Sequence, residues 1–272
     1  MNFSLQILGT ASAMPVSGRN PSAQVLSVQG RLFLIDCGEG TQQQLRRFHL
    51  SFVKIRAIFI SHTHGDHIFG LFGLLNTMAM LGRTETLDIY GPSAAGSIIN
   101  FYNSFFSDGD NFKVEFHRVK CKEPEEILKS KNIRVSAFPL DHKIECYGYR
   151  FDEILPEAAP ESCRPRSYAY CSDTRFFPEL SGWVKGVDLL YHEATYTDDL
   201  RDKAAEHFHS TTVQAATCAR DAEAAKLLLG HYSARIKDFG AYLEEARAIF
   251  PESRMIDEGD VFYIGGHGNK AK

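Results

Sequence analysis

The chain has 272 residues, 44% hydrophobic and 24% charged, with 34 acidic against 30 basic side chains and a net charge of −4. That balance fits one large globular domain spanning residues 1–272, excludes a disordered chain, and argues against a surface that is basic throughout, although it leaves room for a local basic patch. No apolar run approaches the ~20 residues that cross a bilayer, and the first residues lack the positive region of a secretion signal; the default is a cytoplasmic protein with no membrane.

Phe3, Leu5, Ile7 and Leu8 place a strand before Gly9. The loop over residues 10–21 is small and polar. Its Arg19 either binds phosphate or is solvated, and read alone the solvated reading is the better one. Residues 23–28 and 31–36 are two β-type runs around Gln29-Gly30, a hairpin signal. The second run ends in Asp36-Cys37-Gly38-Glu39-Gly40-Thr41, where the glycines let backbone come close. Thr41 is expected to cap a polar helix over residues 42–48. Asp36 either orients a metal ligand from behind or only caps a turn.

Next, Ile58-Phe59-Ile60 leads into Ser61-His62-Thr63-His64-Gly65-Asp66-His67, and a helical apolar run follows, expected to continue from His67 to Leu81 and stop at Gly82. The histidine-rich stretch is therefore a loop between a buried strand and a helix. Three histidines and an aspartate in six residues are too many for packing, because unpaired imidazoles and carboxylates at the end of a core strand need compensating partners. A divalent metal supplies them. In extended chain His62 and His64 point the same way, whereas Asp66 and His67 follow the bend at Gly65, so each pair can serve a different metal.

Residues 87–90 read as a strand, 93–106 as a helix, and 112–119 and 133–140 as strands, the last ending at Asp141-His142. Residues 146–151 form the returning strand, and a Pro, Glu and Ala segment follows over 155–165. Then the strand ends repeat: 168–172 stops at Asp173, 187–191 at His192-Glu193-Ala194-Thr195, and 225–230 at His231. Between the last two lies His209-Ser210-Thr211, where Ser210 or Thr211 can cap a helix over 213–222. A helix over 239–250, a strand over 261–264 and a polar tail from Gly265 close the chain. Alternating strands and helices indicate mixed sheets covered by helices, and strand ends on one rim of a sheet converge in space.

Seven residues have both ligand chemistry and a strand-end place: His62, His64, Asp66, His67, His142, Asp173 and His231. That is too many for one tetrahedral zinc and suits two. The allotment is His62, His64 and His142 to one ion, Asp66, His67 and His231 to the other, and Asp173 between them. None of the six cysteines occupies a ligand-like position, and no Cys-x-x-Cys pair occurs, so they read as reduced thiols and soft-metal or redox chemistry is disfavoured. Two neighbouring metals suit phosphate-ester hydrolysis, holding a hydroxide and neutralising the non-bridging oxygens without redox change.

The His-x-His-x-Asp-His loop, with His142, Asp173 and His231 in that order, resembles the metallo-β-lactamase superfamily. The strings Gly9-Thr10-Ala11-Ser12-Ala13, residues 15–20, Asp36 to Gln42, His192-Glu193-Ala194-Thr195 and His209-Ser210-Thr211 resemble its ribonuclease Z family more specifically. The resemblance implies a four-layer αβ/βα sandwich with two zinc ions at one rim, a homodimer, and cleavage of precursor tRNA at its 3′ side. It implies that Asp66 is both ligand and proton acceptor, that His209 donates a proton and Glu193 orients it, and that the loop around Arg19 and Asn20 contacts the tRNA acceptor end. Members usually carry a tRNA-gripping arm after the segment matching residues 147–150; here only residues 151–166 stand in its place, so the arm is short or missing. Arg46, Arg47, Lys54, Arg56, Arg164 and Arg166 are then a candidate basic rim, although each taken singly reads better as a solvated surface residue. The alternative is a dinuclear phosphodiesterase acting on small or cyclic phosphodiesters, which needs the metals but not the arm.

Overall fold

The computed structural model describes residues 2–14, 16–107, 112–157, 159–160 and 163–265. The tail expected beyond Gly265, Pro15 of the first loop, and residues 158, 161 and 162 of the Pro-containing segment lie outside the described residues. In chain order the elements are β1 (Phe3–Gly9), β2 (Ala23–Val28), β3 (Arg31–Ile35), α1 (Thr41–Arg47), β4 (Ile55–Phe59), α2 (Gly65–Ile68), α3 (Leu71–Met80), β5 (Leu87–Gly91), α4 (Ser93–Phe105) and β6 (Val114–Arg118). They continue with β7 (Glu125–Lys129), β8 (Ile133–Pro139), β9 (Tyr147–Glu153), β10 (Ser167–Cys171), α5 (Glu179–Trp183), β11 (Leu189–Glu193), α6 (Arg201–Glu206), α7 (Thr212–Asp221), β12 (Leu227–Gly230), α8 (Phe239–Ile249), β13 (Ser253–Met255) and β14 (Val261–Tyr263).

Two seven-stranded sheets result, ordered β14-β1-β2-β3-β4-β5-β6 and β13-β12-β11-β10-β9-β8-β7. Both are mixed: β1 to β3 pair antiparallel, and β3 to β6 pair parallel. In the other sheet β7 to β10 pair antiparallel and β10 to β13 parallel. The period-two pattern of each strand divides its side chains between two faces. Along β4, Ala57 and Phe59 enter the core between the sheets, while Ile55 and Ile58 enter the layer beneath α1, α3 and α4. Phe59 meets Tyr149 and Phe151 of the opposite sheet at 5.3 and 5.2 Å between ring centroids. Helices α7 and α8 contribute to the core on the far side of the second sheet. These layers form the four-layer αβ/βα sandwich.

Several boundaries differ from the sequence expectation. Thr41 is the first residue of α1 and not its cap: Gly40, at φ 86°, precedes it, and the Thr41 hydroxyl donates to the Gly38 carbonyl at 2.6 Å. The helix expected from His67 to Leu81 begins at Gly65 and is interrupted at Phe69–Gly70. There the chain passes so close to the loop after β3 that a Cβ on Gly70 would lie 2.1 Å from the Gly38 oxygen, and the Gly70 amide donates to Cys37 O. Thr211, not Ser210, caps α7, in a capping box with Gln214. Strands β7 and β13 carry no apolar alternation, with partly or fully exposed positions in both, and went unpredicted.

Candidate metal centre

The histidine loop is tied to the second sheet by hydrogen bonds from Tyr149 Oη to Ile60 O at 2.6 Å, from the Tyr147 amide to Ser61 O at 3.0 Å and, at the end of β10, from Ser172 Oγ to Ser61 Oγ at 3.0 Å. This brings the ends of β4, β8, β10 and β12 to one rim. All seven expected ligands meet there in two groups: His62, His64, His142 and Asp173, and Asp66, His67, Asp173 and His231, with the ligand atoms of each within 4.8 Å of one another. Asp173 belongs to both. His231 takes a left-handed φ of 60°, an unusual conformation for a non-glycine residue.

Hydrogen bonds fix which ring nitrogen of each histidine is bare. His142 Nδ1 lies 3.0 Å from the Phe208 carbonyl, which only accepts, so Nδ1 carries the proton and Nε2 faces the first group. His67 Nδ1 donates to Asp36 Oδ2 at 2.8 Å, leaving Nε2 for the second. The Thr195 hydroxyl donates to Glu193 Oε2 at 2.7 Å and therefore accepts from His231 Nδ1 at 2.8 Å, which bares His231 Nε2. Likewise the Ser61 hydroxyl donates to Asp36 at 2.8 Å and accepts from His62 Nδ1 at 3.0 Å. Only His64 turns its Nδ1 inward, 3.0 Å from His62 Nε2 and 3.1 Å from His142 Nε2. The bare Nε2 atoms of His62 and His142 thus converge on His64 Nδ1, an arrangement that a divalent cation satisfies when all three nitrogens offer lone pairs.

The charges agree. Burial, the largest influence, lowers the pKa values of His62, His64 and His142, which keeps those rings neutral as metal ligation requires. Burial opposes the charged form of His67 as well, but Asp66, Asp173 and Asp36 raise its pKa well above the ordinary range. That pocket draws positive charge, which a dication held by His67, Asp66 and Asp173 would supply in place of the proton. Asp173 Oδ1 is buried with no hydrogen-bond partner among the described residues. That Oδ1 faces His67 and His231 at 3.4 and 3.3 Å while Oδ2 faces His62 and His142 at 3.6 and 3.9 Å, so the carboxylate is placed as a bridging ligand and the residues present fit two divalent metals.

Asp36 resolves in favour of orientation. Besides His67 and the Ser61 hydroxyl, it accepts the Ser61 amide at 2.7 Å and Tyr170 Oη at 2.6 Å, so one carboxylate positions His67 directly and His62 through Ser61. Asp36→Asn should weaken metal affinity about 10- to 100-fold, the usual cost of losing such a partner. Competition against a chelator checks this, and unchanged affinity would contradict it.

Beside the ligands, His209 Nδ1 lies 3.1 Å from Glu193 Oε1. Glu193 is fully buried and also accepts the amides of Thr174, Thr195 and Ser210 at 3.2, 2.9 and 2.8 Å. Burial lowers the His209 pKa, but the Glu193 charge and hydrogen bond outweigh it and raise it to about 9. Glu193, His209 and His231 also lie close enough to be read as a third ligand group. The Glu193 carboxylate is already engaged by the donors of Thr174, Thr195, Ser210 and His209, so it holds the His209 ring in place and is poorly suited to ligate a metal. Thr195, which links Glu193 to His231, was not singled out in the sequence.

A cavity of about 660 Å³ opens over these groups, lined by His64, Asp66, His142, Asp173, His209 and His231. Lys143, Arg235, Met14 and Phe69 also line it, and sequence reasoning missed all four. The only signal was their nearness in the chain to ligands or to the first loop. Arg19 and Asn20 are not among the lining residues. The Arg19 guanidinium lies over the Tyr232 and Phe239 rings at 4.8 and 4.4 Å. Both the backbone and the side-chain amide of Asn20 donate to Glu258, the latter at 2.9 Å, and Gln44 donates to the same carboxylate at 2.6 Å. The expected basic rim is partly spent: Arg164 pairs with Asp188, Arg166 with Glu153 and Arg56 with Glu85. Among the described residues Arg46, Arg47 and Lys54 have no carboxylate within 4.0 Å.

This fold, with histidine and aspartate ligands at one rim of two facing sheets, is that of the metallo-β-lactamase superfamily of metal-dependent hydrolases, and the family model described as "Beta-lactamase superfamily domain" matches residues 31–232. Ribonuclease Z of Bacteroides thetaiotaomicron is 39% identical over 304 aligned positions, covering 97% of this chain and 96% of that protein. Ribonuclease Z of Porphyromonas gingivalis is 39% identical over 295 positions, covering 94% and 97%. The crystal structure of human tRNase Z, short form, superposes with a TM-score of 0.81 at 30% identity, covering 96% of this chain and 99% of that one. The chain belongs to the ribonuclease Z family of that superfamily, a family of phosphodiester-hydrolysing nucleases.

Proposed function

We propose that this protein is a zinc-dependent endoribonuclease that cleaves precursor tRNA at its 3′ side, leaving a tRNA 3′-hydroxyl and a 5′-phosphorylated trailer. The observation that carries the reading is the Glu193–His209 pair set against two ligand groups that share Asp173, in a chain of this family. Two zinc ions held by the seven ligands would supply Lewis acidity toward a phosphodiester and a water acidified at neutral pH. Asp173 sits between the groups. Asp66, held in its ionised form by His67 and His231 against the opposing effect of burial, accepts the proton of the attacking water. His209 gives a proton to the departing 3′-oxygen, and Glu193 fixes its ring and its charge.

The alignments with both bacterial relatives run longer than the 272 residues of this chain, so those proteins carry residues with no counterpart here. Residues 154–166 alone join β9 to β10, where the arm would enter. A single domain with a short or missing arm belongs to this reading, with Arg19, Asn20 and the remaining cations as the local RNA contacts. So does a homodimer, which the exposed aromatic face of Phe101, Phe105 and Phe106 beside Phe72 supports. Among the described residues no helix is long and apolar enough to cross a membrane, in keeping with a cytoplasmic site of action.

The test is cleavage of a 3′-extended tRNA by the zinc-loaded protein over a salt series, beside an arm-bearing relative. Each neutralised phosphate adds about −0.7 to −0.9 to the slope of log affinity against log salt. Cleavage with the stated ends and a shallower slope than the relative's is expected. An equal slope would mean that another surface replaces the arm. Hydrolysis of small or cyclic phosphodiesters alone would replace the tRNA reading with that activity.

A further inference from the structure

The cavity has a second character that the proton and metal chemistry leaves unused. Phe69 lies two residues after His67, yet it is 73% exposed and lines the cavity. The ring is nevertheless held. A Cβ on Gly65 would lie 2.2 Å from its Cε2 and 2.5 Å from its Cζ, so the ring rests on the backbone of the histidine loop at a position without a side chain. Met14, 59% exposed, reaches the same cavity from the first loop. Lys143 and Arg235 stand on its rim as exposed cations with no carboxylate within 4.0 Å among the described residues.

A seated apolar ring, open to water beside a phosphodiester site and flanked by cations, matches one kind of ligand: a flat base carried next to a phosphate. We propose that Phe69 is the stacking platform for an unpaired nucleobase flanking the scissile phosphate, with Met14 as a second apolar contact and Lys143 and Arg235 facing adjacent phosphates. This rests on the RNA reading above and specifies what that site accepts. A base inside a duplex has both faces covered by its neighbours and cannot also cover the ring, so at least one nucleotide at the cut must be unpaired. Because every base has a π-face, the platform selects for an unpaired nucleotide rather than for a particular base.

The test measures kcat/KM of the zinc-loaded wild type, Phe69→Leu and Phe69→Trp on one RNA whose nucleotides flanking the cut are intact or made abasic one at a time. Removing one of these bases should cost the wild type about 5- to 150-fold, the range of base–aromatic stacking. Phe69→Leu should lose a similar factor on intact RNA and almost nothing further on that abasic RNA, while Phe69→Trp keeps the sensitivity. A ring with a merely structural role lowers both substrates by the same factor, and that result overturns the platform. So does a wild type indifferent to either base, or a Phe69→Leu protein whose solution mass changes with its activity, which would place the ring between copies of the chain. Wild-type cleavage without this coupling removes the platform alone; no cleavage of any RNA removes the nuclease reading with it.

Discussion

Asp66→Ala should lower turnover of precursor tRNA and of a small phosphodiester alike, by about 10³-fold or more, because two functions leave with one carboxylate. A positioned proton acceptor alone contributes about 10²- to 10⁴-fold. The same residue also offers a ligand oxygen to the second group, where its Oδ2 lies 3.2 Å from His231 Nε2 and 3.4 Å from His67 Nε2. Zinc content should fall toward one ion per chain, with the ion of the His62, His64 and His142 group retained. The fold should persist, since the residues that hold the sheets together, such as Phe59, Tyr149 and Phe151, do not touch this carboxylate. Elemental analysis and circular dichroism decide it: a wild type without transition metal, or an Asp66→Ala protein of normal activity, defeats the assignment.

His209→Ala should have the next largest effect and a different signature. Its ring belongs to neither of the two groups that share Asp173, so both metals should stay bound. In the proposed role its loss would remove the proton for the departing 3′-oxygen, and the rate on RNA should fall about 10²- to 10⁴-fold, chiefly in kcat. With a nitrophenyl ester the leaving group departs as a stable anion, and the loss should shrink sharply. Glu193 favours that role, because it holds Nδ1 and raises the pKa of the ring to about 9. Equal losses on both substrates would instead show that His209 supports the site without transferring the proton.

Where the chemistry is carried by residues close in sequence, it was legible. The spacing of His62, His64, Asp66 and His67 shows a ligand loop because four such side chains in six residues have no other way to be satisfied. Gln29-Gly30 shows the hairpin because both residues must take positive φ, as they do at 49° and 84°. The Thr211 cap and Gln214 lie within one turn. The break between α2 and α3 was not legible, because its cause is the backbone at Gly38, far away in sequence and pressed against Gly70. The seat of the first-loop cation was not legible either, because its guanidinium stacks on Tyr232 and Phe239, more than 200 positions further on.

The candidate ligand types, their placement at strand ends and the mixed strand–helix architecture are readable along the chain, since each follows from short-range pattern: burial periodicity, turn chemistry and the cost of unpaired polar groups. That Asp36 holds two histidines, that Thr195 joins the Glu193–His209 pair to His231, that Asn20 is held by Glu258 and that Phe69 sits open over the cavity emerges only on folding. Each of these depends on pairs brought together by two sheets folding face to face, and a hydrogen bond or ring contact between distant segments leaves no periodic trace in the chain.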